Sequence, residues 1–203
     1  QERARGHPNT AFAVACMGEP LSFSDTVVTS TPDLNPIKAF VFCGQGPQHE
    51  HMGVHMYTRF AAFRNSVNAS FEMVAKFHKK NFQDEYGLFN PELNGKVTKT
   101  DKGDWKVECI VIAITIFQIA LFDLWVDLGV QPDVVLGHSV GEIAAMYASG
   151  ALTHEKAIRT AIARSNALSL LDTIDGQMAA LGMSRQEAEQ LIQRIMKENG
   201  TDT

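Results

Sequence analysis

The chain has 203 residues, 45% hydrophobic and 20% charged, the make-up of a globular protein with a sizeable core and one main domain. A formal charge of −5, with lysines and arginines scattered rather than clustered, lacks the electrostatic footprint that nucleic-acid binding requires, so polynucleotide partners are excluded. Cys16, Cys43 and Cys109 form an odd, widely spaced set without a CxxC pair, which suggests neither a disulfide framework nor a thiolate zinc site and fits a reducing, cytoplasmic setting.

The first residue is Gln1 rather than Met, which points to a piece of a longer polypeptide or to a chain trimmed at its start. Basic residues from Arg3 followed by the apolar run Ala11 to Met17 mimic a signal peptide, but the run is short and no small-residue cleavage pattern follows; a strand over Thr10 to Cys16 is the better expectation. Glu19 to Pro36 is rich in Ser, Thr, Asp, Asn and Pro and reads as a linker, with a boundary near Pro36. Ile37 to Cys43 is a continuous apolar run entering Gly44-Gln45-Gly46-Pro47, as expected of a buried parallel strand ending in a tight turn. Helical spacing then runs from about Met52 to Phe77, and the polar, turn-rich Gly87 to Asp104 reads as an exposed loop.

From Val107 to Leu128 apolar residues recur at three- and four-residue steps, and most intervening positions are apolar too, which predicts a helix buried on most sides. Gln118 and Asp123 interrupt the apolar run and leave it too short to cross a bilayer, so no membrane span is expected. Gly129 and Pro132 end this helix, and Asp133 to Leu136 is expected as a second buried strand ending at Gly137. Helices follow over Val140 to Ser149 and His154 to Leu171, then the Asp175-Gly176 turn and a strand over Gln177 to Leu181. Ser184 with Glu187 makes a capping box for a last helix, whose Ala188, Leu191, Ile192, Ile195 and Met196 form one apolar stripe, ended by Asn199-Gly200. Alternating strands and helices imply an α/β architecture with a parallel sheet covered on both faces. The terminal strand and helix each have an apolar face that nothing later in the sequence covers, as in a subdomain begun and not finished.

Gly137-His138-Ser139-Val140-Gly141, between a strand and a helix, is the context in which a G-x-S-x-G run becomes a nucleophile elbow. Small residues flank the serine because the turn is tight. The helix N-terminus beyond it favours developing negative charge. An elbow alone fits an esterase, a lipase or a transferase. Arg164, in the helix otherwise lined by Ala157, Ile158, Ala161, Ile162, Ala163 and Leu168, either snorkels to solvent or serves the site.

Four motifs in order, Phe42-Cys43-Gly44-Gln45-Gly46-Pro47-Gln48 with Met52-Gly53, Gln118-Ile119-Ala120-Leu121, Gly137-His138-Ser139-Val140-Gly141-Glu142, and Arg164, resemble malonyl-CoA:acyl carrier protein transacylases from about Ala39 onward. The wording around Gly44 and Tyr147 is similar to fungal iterative polyketide synthases, and Arg3 to Cys16 to the end of the linker joining ketosynthase to acyltransferase. The resemblance implies an organisation of linker (1–36), an incomplete acyltransferase core of α/β-hydrolase-like kind (37–175) and the start of a ferredoxin-like subdomain (176–203). It further implies that Ser139 takes the malonyl group from coenzyme A and passes it to the phosphopantetheine thiol of a carrier protein, by ping-pong covalent catalysis and with no permanently bound cofactor. By the same carry-over the backbone N–H groups of Gln45 and Val140 form the oxyanion hole, Arg164 grips the malonyl carboxylate and Gln118 lines the pocket. Val140 at the variable elbow position matches malonyl-specific relatives. The family's general base, a histidine, lies beyond this sequence.

Other assignments compete. Gln118 could instead be a helix amide bonded to nearby backbone. His138 is too close to Ser139 in sequence to act as its base, and His154 matches no family motif. His49, His51 and His55 with Cys43 lack a completing ligand for a metal. Cys43, ending a buried strand without a basic partner, makes a poor nucleophile. Glu142 complements the dipole of the elbow helix without a catalytic role. A serine hydrolase and an inactive fragment are the rival functions, the former disfavoured by Arg164 together with the Gly44-Gln45-Gly46 loop.

Overall fold

The computed structural model describes residues 9–10, 28–29, 37–49, 51–78, 87–89, 105–170 and 181–200. Two strands carry the site. β3 (Ala39–Phe42) and β4 (Val134–Gly137) pair in parallel, in a register from Ala39 opposite Val134 to Phe42 opposite Gly137. Their N-terminal ends are clamped by Lys38 and Asp133: the Asp133 carboxylate accepts from the Lys38 backbone N–H at 2.8 Å and from its ammonium at 3.0 Å, while the Asp133 N–H donates to the Lys38 carbonyl. These bonds, the backbone donor foremost, hold the Asp133 carboxyl below its usual pKa.

The helices are α1 (Val54–Arg59), α2 (Ala61–His78), α3 (Val107–Asp127), α4 (Gly141–Ala148), α5 (His154–Ser169) and α6 (Arg185–Asn199). α3 is the centre of the core. Cys109 to Ile116 are buried without interruption, with Gln118, Ile119, Ala120 and Leu124 beyond them, because α2, α4 and α5 pack around it. α3 is long and apolar enough to span a membrane, but its most apolar stretch lies mainly inside the protein, as in a soluble core helix. Phe63, Phe71, Phe89 and Phe117 fill the space between α2 and α3, with ring centroids 5.8 to 6.4 Å apart, an arrangement aromatic edges and faces favour.

The expected single helix from Met52 to Phe77 is two. Phe60 adopts an extended conformation between α1 and α2. The break is tolerated because Arg64 reaches back and donates to the freed carbonyls of Tyr57 and Thr58 at 2.9 and 3.2 Å. The segment expected to be linker includes a short strand, β2 (Val28–Thr29), antiparallel to β1 (Asn9–Thr10). The remaining positions of the expected strand Thr10 to Cys16 lie outside the described residues, as do most of the loop Gly87 to Asp104 and of the strand Gln177 to Leu181.

The expectation of buried strands and a sheet covered on both faces is corrected. Phe42 is 6% exposed and packs with Phe40 toward Phe122 of α3, whereas Val41 is 70% and Leu136 55% exposed on the opposite face. A continuous apolar run cannot reveal that only one of its two faces is covered. Cys43, expected at the end of a buried strand, is likewise exposed. α6 forms with both halves of the expected capping box, Ser184 Oγ accepting from the Glu187 N–H and the Glu187 carboxylate from the Ser184 N–H. Ile192 and Ile195 of its apolar stripe are exposed. Helix α6 is the described part of the segment expected to begin a ferredoxin-like subdomain.

Candidate active site

β4 runs into α4 through Gly137-His138-Ser139-Val140, and Ser139 takes a left-handed backbone conformation with φ of 53°. A side chain seldom adopts this conformation, and it appears where surrounding structure enforces it. Here the enforcement is close packing. A Cβ on Gly137 would lie 2.5 Å from Glu142 Cα, and one on Gly141 would strike the backbone of Phe42 and Cys43, so α4 leaves the sheet at a distance only glycine allows. The turn is closed by the His138 N–H to the Phe42 carbonyl and by the Gly141 N–H to the His138 carbonyl, both 2.9 Å. This geometry is the strand–elbow–helix expected of the motif, with Val140 buried at the start of α4.

The loop after β3 lies against the elbow. At Gly44 a Cβ would stand 3.2 Å from the Ser139 Cβ and 3.1 Å from the His138 carbonyl oxygen. Gln45 follows in an exposed turn, and the Gly46 N–H donates to the Gln48 side chain at 2.6 Å. From the other side, Arg164 of α5 extends to the serine and its Nη2 donates to Ser139 Oγ at 3.2 Å. The half-buried Arg164 therefore does not snorkel away from the core; it faces the elbow.

Gln118 is 5% exposed, and its Nε2 donates to the Cys43 carbonyl at 3.0 Å. The backbone-bonded alternative thus holds for the amide nitrogen, at a backbone far away in sequence. Its Oε1 is buried without a hydrogen-bond partner. A groove of about 280 Å³ lies beside the loop rather than at the serine, along β3 and lined by Phe42, Cys43, Phe117, Gln118, Leu121 and Trp125. His138 has an exposed ring, Glu142 is exposed in the first turn of α4, and His49, His51 and His55 are exposed around the start of α1. Among the described residues no three His, Cys, Asp or Glu side chains gather as a metal site.

Sequence reasoning missed a polar cluster where α2, α3, α4 and α5 meet. Asp123 accepts from Ser66 Oγ at 2.6 Å and from Tyr147 Oη at 2.8 Å. His154 Nε2 lies 2.8 Å from Ser70 Oγ, whose proton goes to the Ser66 carbonyl, and the His154 ring packs 5.4 Å from that of Tyr147. Burial, and then the Asp123 carboxylate, push the Tyr147 hydroxyl far above its usual pKa, while burial outweighs Asp123 and lowers that of His154. With its ring engaged here, His154 is not a base for Ser139. The polar positions Asp123 and Tyr147 inside apolar helices were the available signal.

The fold and site define an α/β protein with a serine elbow facing an arginine. The family model of the acyl transferase domain matches residues 39–198, so the chain belongs to the acyl transferase domain family, in the form carried by polyketide synthases. It is 34% identical to the highly reducing polyketide synthase stpks1 of Strobilurus tenacellus over 203 residues, 99% of this chain and 7% of that protein. The acyl transferase domain of ZmaA shares its fold, with a TM-score of 0.64 at 22% identity over 85% of this chain and 38% of that one. The malonyl CoA-acyl carrier protein transacylase of Coxiella burnetii superposes with a TM-score of 0.50 at 26% identity, over 64% of this chain and 38% of that one. The chain thus spans a small part of the synthase and well under half of each structural relative.

Proposed function

We propose that the chain transfers a malonyl group from coenzyme A to the phosphopantetheine thiol of an acyl carrier protein, within a polyketide synthase whose ketosynthase precedes it in the same cytoplasmic polypeptide. The observation that carries this reading is the Arg164 guanidinium 3.2 Å from the Ser139 hydroxyl. An acyl group on Ser139 stands beside a fixed cation whose planar fork matches a carboxylate, which a malonyl unit has and an acetyl unit lacks. Ser139 Oγ attacks the thioester carbonyl, its proton passes to a general base, and the coenzyme A thiol leaves; the carrier thiol then reverses the sequence. The backbone N–H groups of Gln45 and Val140 receive the oxyanion, the second at the start of α4, where helical N–H groups lack intrahelical acceptors. The base comes from elsewhere in the polypeptide. The likeness to a named malonyl transacylase supports the choice of acyl group.

The test uses the full-length polypeptide that carries this chain. Incubation with malonyl-CoA is expected to add one malonyl group, located on Ser139 by peptide mapping and lost in Ser139→Ala. Arg164→Ala is expected to lower the malonyl-to-acetyl ratio of specificity constants by about ten- to a hundredfold, since a charge-assisted hydrogen bond contributes roughly 1.5–3 kcal/mol. An adduct on Cys43, release of malonate to water in preference to transfer, or an unchanged ratio contradicts the reading.

A further inference from the structure

We infer that Gln118 is a positioning residue for the oxyanion-binding loop rather than part of the wall around the acyl group; this rests on the serine-acyl reading above. The ladder of β3 and β4 ends at Phe42, whose carbonyl accepts from His138. Beyond it the loop must leave the sheet, pass Ser139 and turn. Two side-chain tethers hold its ends. At the near end Gln118, rooted in the most buried of the described helices, donates to the Cys43 carbonyl at 3.0 Å. At the far end Gln48 accepts from the Gly46 N–H at 2.6 Å. Gln45 lies between these points, so the direction of its N–H is set by where Cys43 and Gly46 are fixed.

The two tethers differ in what they are attached to. Gln48 belongs to the loop itself and moves with it, whereas Gln118 ties the loop to a helix that packing immobilises. An amide in this position also leaves its Oε1 buried without a partner, which an apolar side chain of the same length would avoid. The feature gained against that cost is the donor to Cys43. Aligned N–H donors act on a developing oxyanion only if their direction is fixed before reaction, so a loop released at one end loses the effect while still admitting substrate.

The experiment is made on the full-length polypeptide with a fluorophosphonate, which reacts with an elbow serine through the oxyanion hole and carries neither malonyl group nor coenzyme A. Gln118→Met keeps the length of the side chain and removes the donor; Gln118→Glu keeps the shape and sets an acceptor against the Cys43 carbonyl. Labelling of Ser139 is expected to slow about ten- to a hundredfold in both, with the glutamate variant the slower. Malonyl loading is expected to lose kcat with KM for malonyl-CoA and the malonyl-to-acetyl ratio unchanged. Arg164→Ala is expected to lower the malonyl-to-acetyl ratio, which the Gln118 variants leave unchanged. Thermal unfolding of each variant at the normal midpoint separates a moved loop from a damaged core. Normal labelling by folded Gln118→Met, or a raised KM with kcat intact, overturns the inference and returns Gln118 to the acyl pocket. If the unaltered polypeptide labels at Ser139 but takes no malonyl group, the proposed substrate fails while the positioning role still stands or falls on the labelling rates.

Discussion

The two faces of the β3–β4 sheet are built from the same kind of residue and have different surroundings. On one face Phe40 and Phe42 press against Phe122 of α3; on the other Val41, Val134 and Leu136 are exposed. Apolar composition within a strand states that a face is suited to burial, not which element of the polypeptide buries it. The difference also places the site. Elbow, loop and arginine are all held from the covered side, through the close approach of Gly141 to Phe42, Gln118 on Cys43 and the packing of α5 on α3.

Substitutions along and across the strands test that difference. Phe42→Ala removes a buried ring and is expected to destabilise the domain by about 3–5 kcal/mol in denaturant unfolding. A loss under about 1 kcal/mol would mean that the covered face is not a packed core. Gly141→Ala drives a methyl into the backbone of Phe42 and Cys43, which cannot rotate away, and roughly 3 kcal/mol is expected, the upper end for overpacking. Fluorophosphonate labelling of Ser139 should fall with it, and normal labelling would show that the elbow tolerates a wider gap. Tyr147→Phe deletes the hydroxyl donated to Asp123 and is expected to cost about 1.5 kcal/mol, with Ser66 still satisfying the carboxylate.

The pH dependence is a smaller effect. His154 has a folded-state pKa below the ordinary 6.5, chiefly through burial, so below that value the unfolded chain binds the proton more readily than the folded one. Stability is expected to fall as pH drops below about 6.5, toward the lower folded value. His154→Phe should flatten the curve, and an unaltered slope would place the responsible group elsewhere. The smallest effect is the sharpest comparison: Val41→Ala is expected to change stability by no more than about 0.5 kcal/mol if its face stays open. A cost of roughly 2 kcal/mol in the full-length polypeptide would show that another part of that polypeptide covers it.

The elements legible in sequence were those whose causes are local. The capping box of α6, the all-round apolar character of α3 and the glycines around Ser139 each act within a few residues, and each predicts what forms. That Arg164 serves the site was expected only through the family resemblance, which assigned it to the malonyl carboxylate; periodicity alone left it open, and its contact with Ser139 is visible only in the folded chain. The interruption at Phe60 was not legible because it depends on Arg64 supplying donors across the break. Nor was the Asp123 cluster, whose members come from four helices and meet only after those helices have packed. Gln118 was expected to line the acyl pocket or to bond nearby backbone, and the partner of its amide, the distant Cys43 carbonyl, is visible only in three dimensions.

The clamp between Lys38 and Asp133 bears on the order of events in folding. These residues are 95 positions apart, so the parallel pairing they secure is among the least local contacts in the molecule, whereas each helix closes its own bonds within a turn. Bringing such distant segments together carries the entropy of closing a long loop, and closure is favourable only once the intervening helices have supplied a surface for the strands to land on. The loop of Gln45 continues one strand and the elbow of Ser139 the other. The nucleophile and its surroundings therefore meet only when this long-range pairing closes, and a nascent chain in which β4 has not yet emerged lacks not only Ser139 but also the α4 and α5 that pack against α3.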